Sequence, residues 1–93
     1  LIGLLVSGEQ SSAAHDLADA LGAALRRETE GLASVLGPAP APIARIKGRY
    51  RFQLLVKGPG RKAMNEAVRR GVASVPVPPE MKVEIDVDPQ ALV

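Results

Sequence analysis

Apolar and polar positions along this chain repeat with two periods, and the changes of period divide it into six elements. Leu1–Val6 is an unbroken apolar run closed by Ser7-Gly8, which predicts a buried strand. From Ser11 to Arg27 the apolar residues Leu17, Ala18, Leu21, Ala24 and Leu25 recur at spacings of three and four, with Asp16, Asp19, Arg26 and Arg27 off the stripe. That spacing predicts an amphipathic helix. Ser7, Ser11 and Ser12 are candidate caps, Ser7 with Gln10 having capping-box spacing. Leu32–Leu36 predicts a second strand running into Gly37-Pro38-Ala39-Pro40-Ala41-Pro42. Prolines at alternate positions cannot donate to a ladder on both sides, so any continuation must be an edge strand. Ile43–Ile46, Lys47-Gly48 and Arg49–Lys57 predict a hairpin with a tight turn.

Arg49–Lys57 has the clearest period of two. Tyr50, Phe52, Leu54 and Val56 point one way; Arg49, Arg51, Gln53, Leu55 and Lys57 point the other. Gly58-Pro59-Gly60 breaks the strand, and a second helix is predicted from about Arg61 to Val72, with Met64, Ala67, Val68 and Val72 inward. A proline-rich connection leads to Met81–Asp88, where Met81, Val83, Ile85 and Val87 alternate with Lys82, Glu84, Asp86 and Asp88; Pro89 ends it. The order is βαββαβ. One four-stranded, mostly antiparallel sheet with both helices on one face buries every apolar stripe. The expected fold is therefore α+β and ferredoxin-like, with the second and fourth strands at the edges.

At 93 residues the chain fits one domain, 1–93, and the absence of an initiator methionine suggests a fragment of something longer. Cysteine is absent and His15 is the sole histidine, which excludes disulfides, Cys-type zinc sites and multi-histidine metal sites. The apolar opening is too short to span a membrane.

The net charge of +2 conceals strong segregation. Arg45–Arg70 holds nine basic residues (Arg45, Lys47, Arg49, Arg51, Lys57, Arg61, Lys62, Arg69, Arg70) and one acid, Glu66, whereas the remainder nets −6. Such segregation points to an anionic partner. Rows of guanidinium and ammonium groups grip a phosphate backbone without reading bases. Gly58-Pro59-Gly60-Arg61-Lys62 places basic residues at a helix start, where free N–H groups can bind phosphate; it lacks Walker A spacing, and a simple turn serves equally. Catalysis finds little support: no serine has a triad partner except His15, which reads as a solvated residue beside Asp16. Glu84, Asp86 and Asp88 could hold a cation through oxygens, but an acidic solvent face explains them more simply.

Gly37-Pro38-Ala39-Pro40-Ala41-Pro42, then Gly48-Arg49-Tyr50-Arg51-Phe52-Gln53-Leu54-Leu55-Val56-Lys57, closed by Asp86-Val87-Asp88-Pro89, resembles the C-terminal domain of primosomal protein N′ over nearly the whole chain. The resemblance implies a bacterial, cytoplasmic, nucleoid-associated parent: an ATP-dependent helicase that recognises abandoned forks and works with other primosome proteins. ATP, magnesium and zinc would belong to that parent, with no cofactor and no catalysis in this chain. The domain would help bind fork and single-stranded DNA and the acidic, phenylalanine-ended tail of single-stranded DNA-binding protein. By that likeness Arg49 and Gln53 match the positions contributed to the tail pocket, close enough for one carboxylate to reach both. A monomer without membrane contact is expected. Two other classes stay open: a docking module with little intrinsic DNA binding, and a ferredoxin-like regulatory module for a small metabolite.

Overall fold

The computed structural model describes residues 1–87. Its elements run β1 (Ile2–Gly8), α1 (Ser11–Glu28), β2 (Ser34–Ile46), β3 (Arg49–Lys57), α2 (Arg61–Ala73) and β4 (Lys82–Val87). The four strands form one antiparallel sheet in the order β2-β3-β1-β4, so β2 and β4 are its edges, as the sequence predicts. Asp88 and Pro89, expected to close β4, lie outside the described residues.

The alternation of β1 and β3 decides which sheet face meets the helices. Ile2, Leu4, Val6, Leu54 and Val56 are buried against Leu17, Ala18, Leu21 and Leu25 of α1 and Met64 and Val68 of α2. Burying such a side chain is worth about 1.5–3 kcal/mol, so this aliphatic layer is the main source of stability. Phe52 adds its ring at the border of this core and meets His15 of α1 edge-on at 5.3 Å between centroids. Neither α1 nor α2 covers the opposite face.

Two local expectations are corrected. The residue preceding α1 is Gln10, and no side chain caps its first turn; Ser7 is instead a β1 residue, 6 % exposed. The predicted pieces Leu32–Leu36 and Ile43–Ile46 belong to one strand, β2, which starts at Ser34 and continues through the prolines at the sheet edge, with irregularities in register between Leu36 and Ala39 and between Pro40 and Arg45. An outer strand tolerates proline since only one side of it needs donors. Arg26 ties this strand to α1 by donating to the carbonyls of Gly37 (2.7 Å) and Val35 (3.2 Å). Finally, Ile85 and Val87 have the predicted parity but are 46 % and 49 % exposed, because the outer part of β4 is poorly covered.

The β2–β3 hairpin turns on Lys47 (φ 52°) and Gly48 (φ 77°), with Ile46 and Arg49 paired on either side. Two successive positive φ values match the twist of antiparallel strands. Thr29 closes α1 without any signal in the apolar pattern: it is 1 % exposed, and its Oγ1 donates to the Leu25 carbonyl at 2.7 Å.

Candidate functional site

The fold divides the continuous basic segment between opposite sides of the molecule. Arg49, Arg51, Gln53, Leu55 and Lys57 fall on the open sheet face, whereas α2 carries Arg61, Lys62, Arg69 and Arg70 in the helix layer. Arg45 has the other parity and stacks its Cζ 4.9 Å above the Tyr50 ring, a cation–π contact. Lys47 is exposed at the hairpin tip, and Lys57 is exposed opposite Ser34.

The open face is organised in cross-strand rows. Gln53, Leu5 and Glu84 form one row across β3, β1 and β4; Leu55, Gly3 and Asp86 form the next; Arg51, Ser7 and Lys82 form the row on the other side. Above them lies a groove of about 490 Å³, within the size range of ligand pockets. Its floor is Gly3, Leu5 and Leu55; Arg51, Gln53 and Ala41-Pro42-Ile43 of β2 border it on one side, Glu84 and Asp86 on the other. Arg51 holds the irregular part of β2 in place, its Nη1 donating to the Ile43 carbonyl at 2.9 Å.

Arg49 is engaged at one end of this face. Its Nη2 donates to the Ser7 carbonyl (3.0 Å) and the Glu80 carbonyl (3.3 Å) and reaches Ser7 Oγ at 3.5 Å. It therefore bridges the end of β1 and the turn before β4. Arg49 and Gln53 are four positions apart on one strand, about 13 Å between backbones. Arg51 stands between them and borders the groove with Gln53.

On α2, Arg61, Lys62 and Arg69 surround a second depression of about 400 Å³ together with Asn65 and Glu66. The helix starts after Gly60 with no side-chain cap and no acid in its first turn, a positive pole bordered by positive side chains. Asn65 Oδ1, shut from solvent, has no hydrogen-bond partner, and a flip of this amide would present its NH₂ group instead. Gly58, ahead of this helix, has a packing role. A Cβ there would stand 2.6 Å from the Leu32 carbonyl oxygen, so glycine is required by close approach whatever α2 binds. Arg70 departs from the group: its Nε donates to Glu28 Oε1 at 3.0 Å and joins α2 to the end of α1. With both side chains partly exposed, Arg70→Ala should lower stability by only about 0.5 kcal/mol, measurable as a small shift in the urea midpoint.

Elsewhere, one ligand atom each from His15, Asp16 and Asp19 lies within 4.8 Å of the others, all three residues being exposed. The i, i+4 pair His15–Asp19, at 3.3 Å, accounts for this cluster as a solvated helix surface. Glu84 and Asp86 border the groove, Glu84 with its Oε1 3.7 Å from Lys82 Nζ, and Asp88 lies outside the described residues. Among the described residues, no helix is long and apolar enough to cross a membrane.

The residues that sequence reasoning passed over are Leu5 and Leu55 as the groove's apolar floor. Leu55 carried a signal: it is a large apolar residue at the solvent parity of an otherwise polar strand face.

These features define a two-layer α+β domain with one helix-covered face and one open, grooved face. Residues 1–90 match the family described as Primosomal protein N C-terminal domain, and the chain belongs to that family. Three curated relatives bear the name replication restart protein PriA. The one from Treponema pallidum is 33 % identical over 89 residues, 96 % of this chain and 14 % of that protein. That from Haemophilus influenzae is 39 % identical over 59 residues, covering 62 % of this chain and 8 % of the relative. That from Synechocystis is 43 % identical over 58 residues, covering 62 % and 7 %. The chain thus spans 14 % or less of the length of these relatives.

Proposed function

We propose that this domain is a non-catalytic, two-sided binding module of a bacterial replication-restart helicase. Its open face takes the acidic, phenylalanine-ended tail of single-stranded DNA-binding protein, and its α2 side grips fork or single-stranded DNA by phosphates. The observation that carries the first assignment is the groove itself: an apolar floor of Leu5 and Leu55 beside Arg51 and Gln53. An aromatic side chain gains by covering the leucines. A terminal carboxylate gains charge-assisted hydrogen bonds from both the guanidinium and the amide. Arg49 supplies further positive potential at the end of the same face.

The DNA assignment rests on Arg61, Lys62 and Arg69, which surround one depression running from the uncapped start of α2. A module that only docks proteins is the second reading, favoured by the engagement of Arg70 with Glu28, which withdraws one cation from the DNA set. In either reading, ATP, magnesium, zinc, unwinding and the other primosome partners belong to segments of the longer protein, and the domain works in the cytoplasm at the nucleoid.

Gln53→Ala tests the two-sided arrangement. Affinity for a fluorescent tail peptide should fall about tenfold, the loss expected when a carboxylate's hydrogen bond is removed. Affinity for forked DNA, measured on the same preparations by anisotropy, should change less than about twofold. Equal losses of both would place the two ligands on one surface and overturn the separation.

A further inference from the structure

The groove is electrically lopsided, and we propose that Glu84 and Asp86 are specificity-determining residues that fix the direction in which an acidic peptide lies in it. This rests on the assignment of the groove to such a peptide. The two carboxylates border the same groove as Arg51 and Gln53, across the leucine floor. In the strand register, Glu84 lies in the Gln53–Leu5 row and Asp86 in the Leu55–Gly3 row, both on β4. Two strand spacings, about 9.6 Å, separate β3 from β4. One row toward the hairpin the sign reverses: Lys82 occupies the β4 position in the row of Arg51 and Ser7. Arg49 lies further in the same direction, beside Ser7 and Glu80.

A peptide with a free carboxylate terminus and several acids therefore meets one favourable path and one unfavourable one. With its terminus between Arg51 and Gln53, its acids lower their energy by running toward Arg49 and Lys82. Running across β4 brings them against Glu84 and Asp86, where like charges meet. The acidic border weakens binding of any acidic peptide somewhat, and in exchange it rejects the crossed orientation, a device of specificity by repulsion. It also disfavours peptides that are acidic throughout and lack a single run of acids leaving toward the hairpin.

The test uses the 93-residue chain and a synthetic peptide carrying three aspartates and a C-terminal phenylalanine with a free carboxylate. Binding is measured for the wild type, Glu84→Gln/Asp86→Asn and Asp86→Asn alone, with circular dichroism confirming each fold. Removing the two carboxylates should tighten binding about fivefold at about 50 mM salt, and Asp86→Asn alone about twofold. The gain should fall below twofold at about 0.5 M salt, where charges several ångströms apart are screened. The single variant also guards against a trivial cause, because Glu84 lies 3.7 Å from Lys82 and its removal releases that ammonium. A companion peptide with asparagines in place of the aspartates should bind wild type and variants alike, which isolates the charge coupling. If the wild type binds the acidic peptide and both variants bind it no more tightly, the inference is wrong while the groove assignment stands. If no form binds it, both are wrong.

Discussion

Gly37→Ala should destabilise the domain by about 3 kcal/mol, against a total stability of about 5–15 kcal/mol for a domain of ordinary size. Two effects combine. Gly37 has φ 101°, a conformation that an L side chain adopts only under strain. A Cβ there would also stand 2.7 Å from the Gln53 carbonyl oxygen, backbone of the adjacent strand that has little room to move. Gly31→Ala is the control: φ there is 77°, but nothing lies within 4 Å of an added Cβ, so only the backbone term of about 1 kcal/mol remains. Urea unfolding of the two variants separates the terms, since each kcal/mol shifts the midpoint by several tenths of a molar or more. Equal shifts would mean that β2 gives way and that its close approach to β3 is not required. Because the obstructing atom belongs to Gln53, the folded fraction of Gly37→Ala should also bind the tail peptide more weakly.

Reversing charge on α2 should have the largest effect on DNA. For the wild type, three phosphate contacts from Arg61, Lys62 and Arg69 predict a log–log salt slope of about −2.7 on duplex arms. That slope corresponds to about a 40-fold loss of affinity between 50 and 200 mM salt. Arg61→Glu/Lys62→Glu/Arg69→Glu should abolish measurable binding to a labelled fork in this range. Arg51→Ala/Gln53→Ala should leave slope and affinity nearly as in the wild type, being on the far side of the sheet. A salt-independent wild-type titration, or equal loss in both variants, would remove α2 as the DNA face and favour the docking reading.

The parts of this domain that were legible in the sequence are those fixed by short-range periodicity. β3 was delimited correctly because nine residues, Leu55 apart, alternate between two glycine-bearing turns. The strand order followed from the βαββαβ succession and the right-handedness of crossovers, and the prolines of the second strand agree with its edge position. Continuity of β2 was not legible, because proline forbids a central strand but does not say whether an outer one persists. Nor was the division of the basic residues, even though the period of β3 and the layering rule together require it. Charge counted along a chain ignores which face each residue occupies. The partners of Arg49 and Arg70 lay beyond any local rule, since each contact joins residues 42 positions apart. Both arginines looked like free cations, and each is held by an acceptor that only tertiary approach supplies. The groove was half visible: Gln53 and Arg51 were singled out for charge and polarity, whereas its floor joins Leu55 to Gly3 and Leu5 of β1, a strand that looked merely buried.

The outer border of β2 is closed to polymerisation. Pro38, Pro40 and Pro42 carry no N–H, so an arriving strand would find three donors missing within five residues. Cross-β stacking of one copy upon another is thereby blocked on that side. On the other, β4 presents Lys82, Glu84 and Asp86 within six residues, and the two neighbouring carboxylates disfavour in-register stacking of identical copies. Both edge strands therefore disfavour fusion of the sheets of neighbouring copies into a fibre.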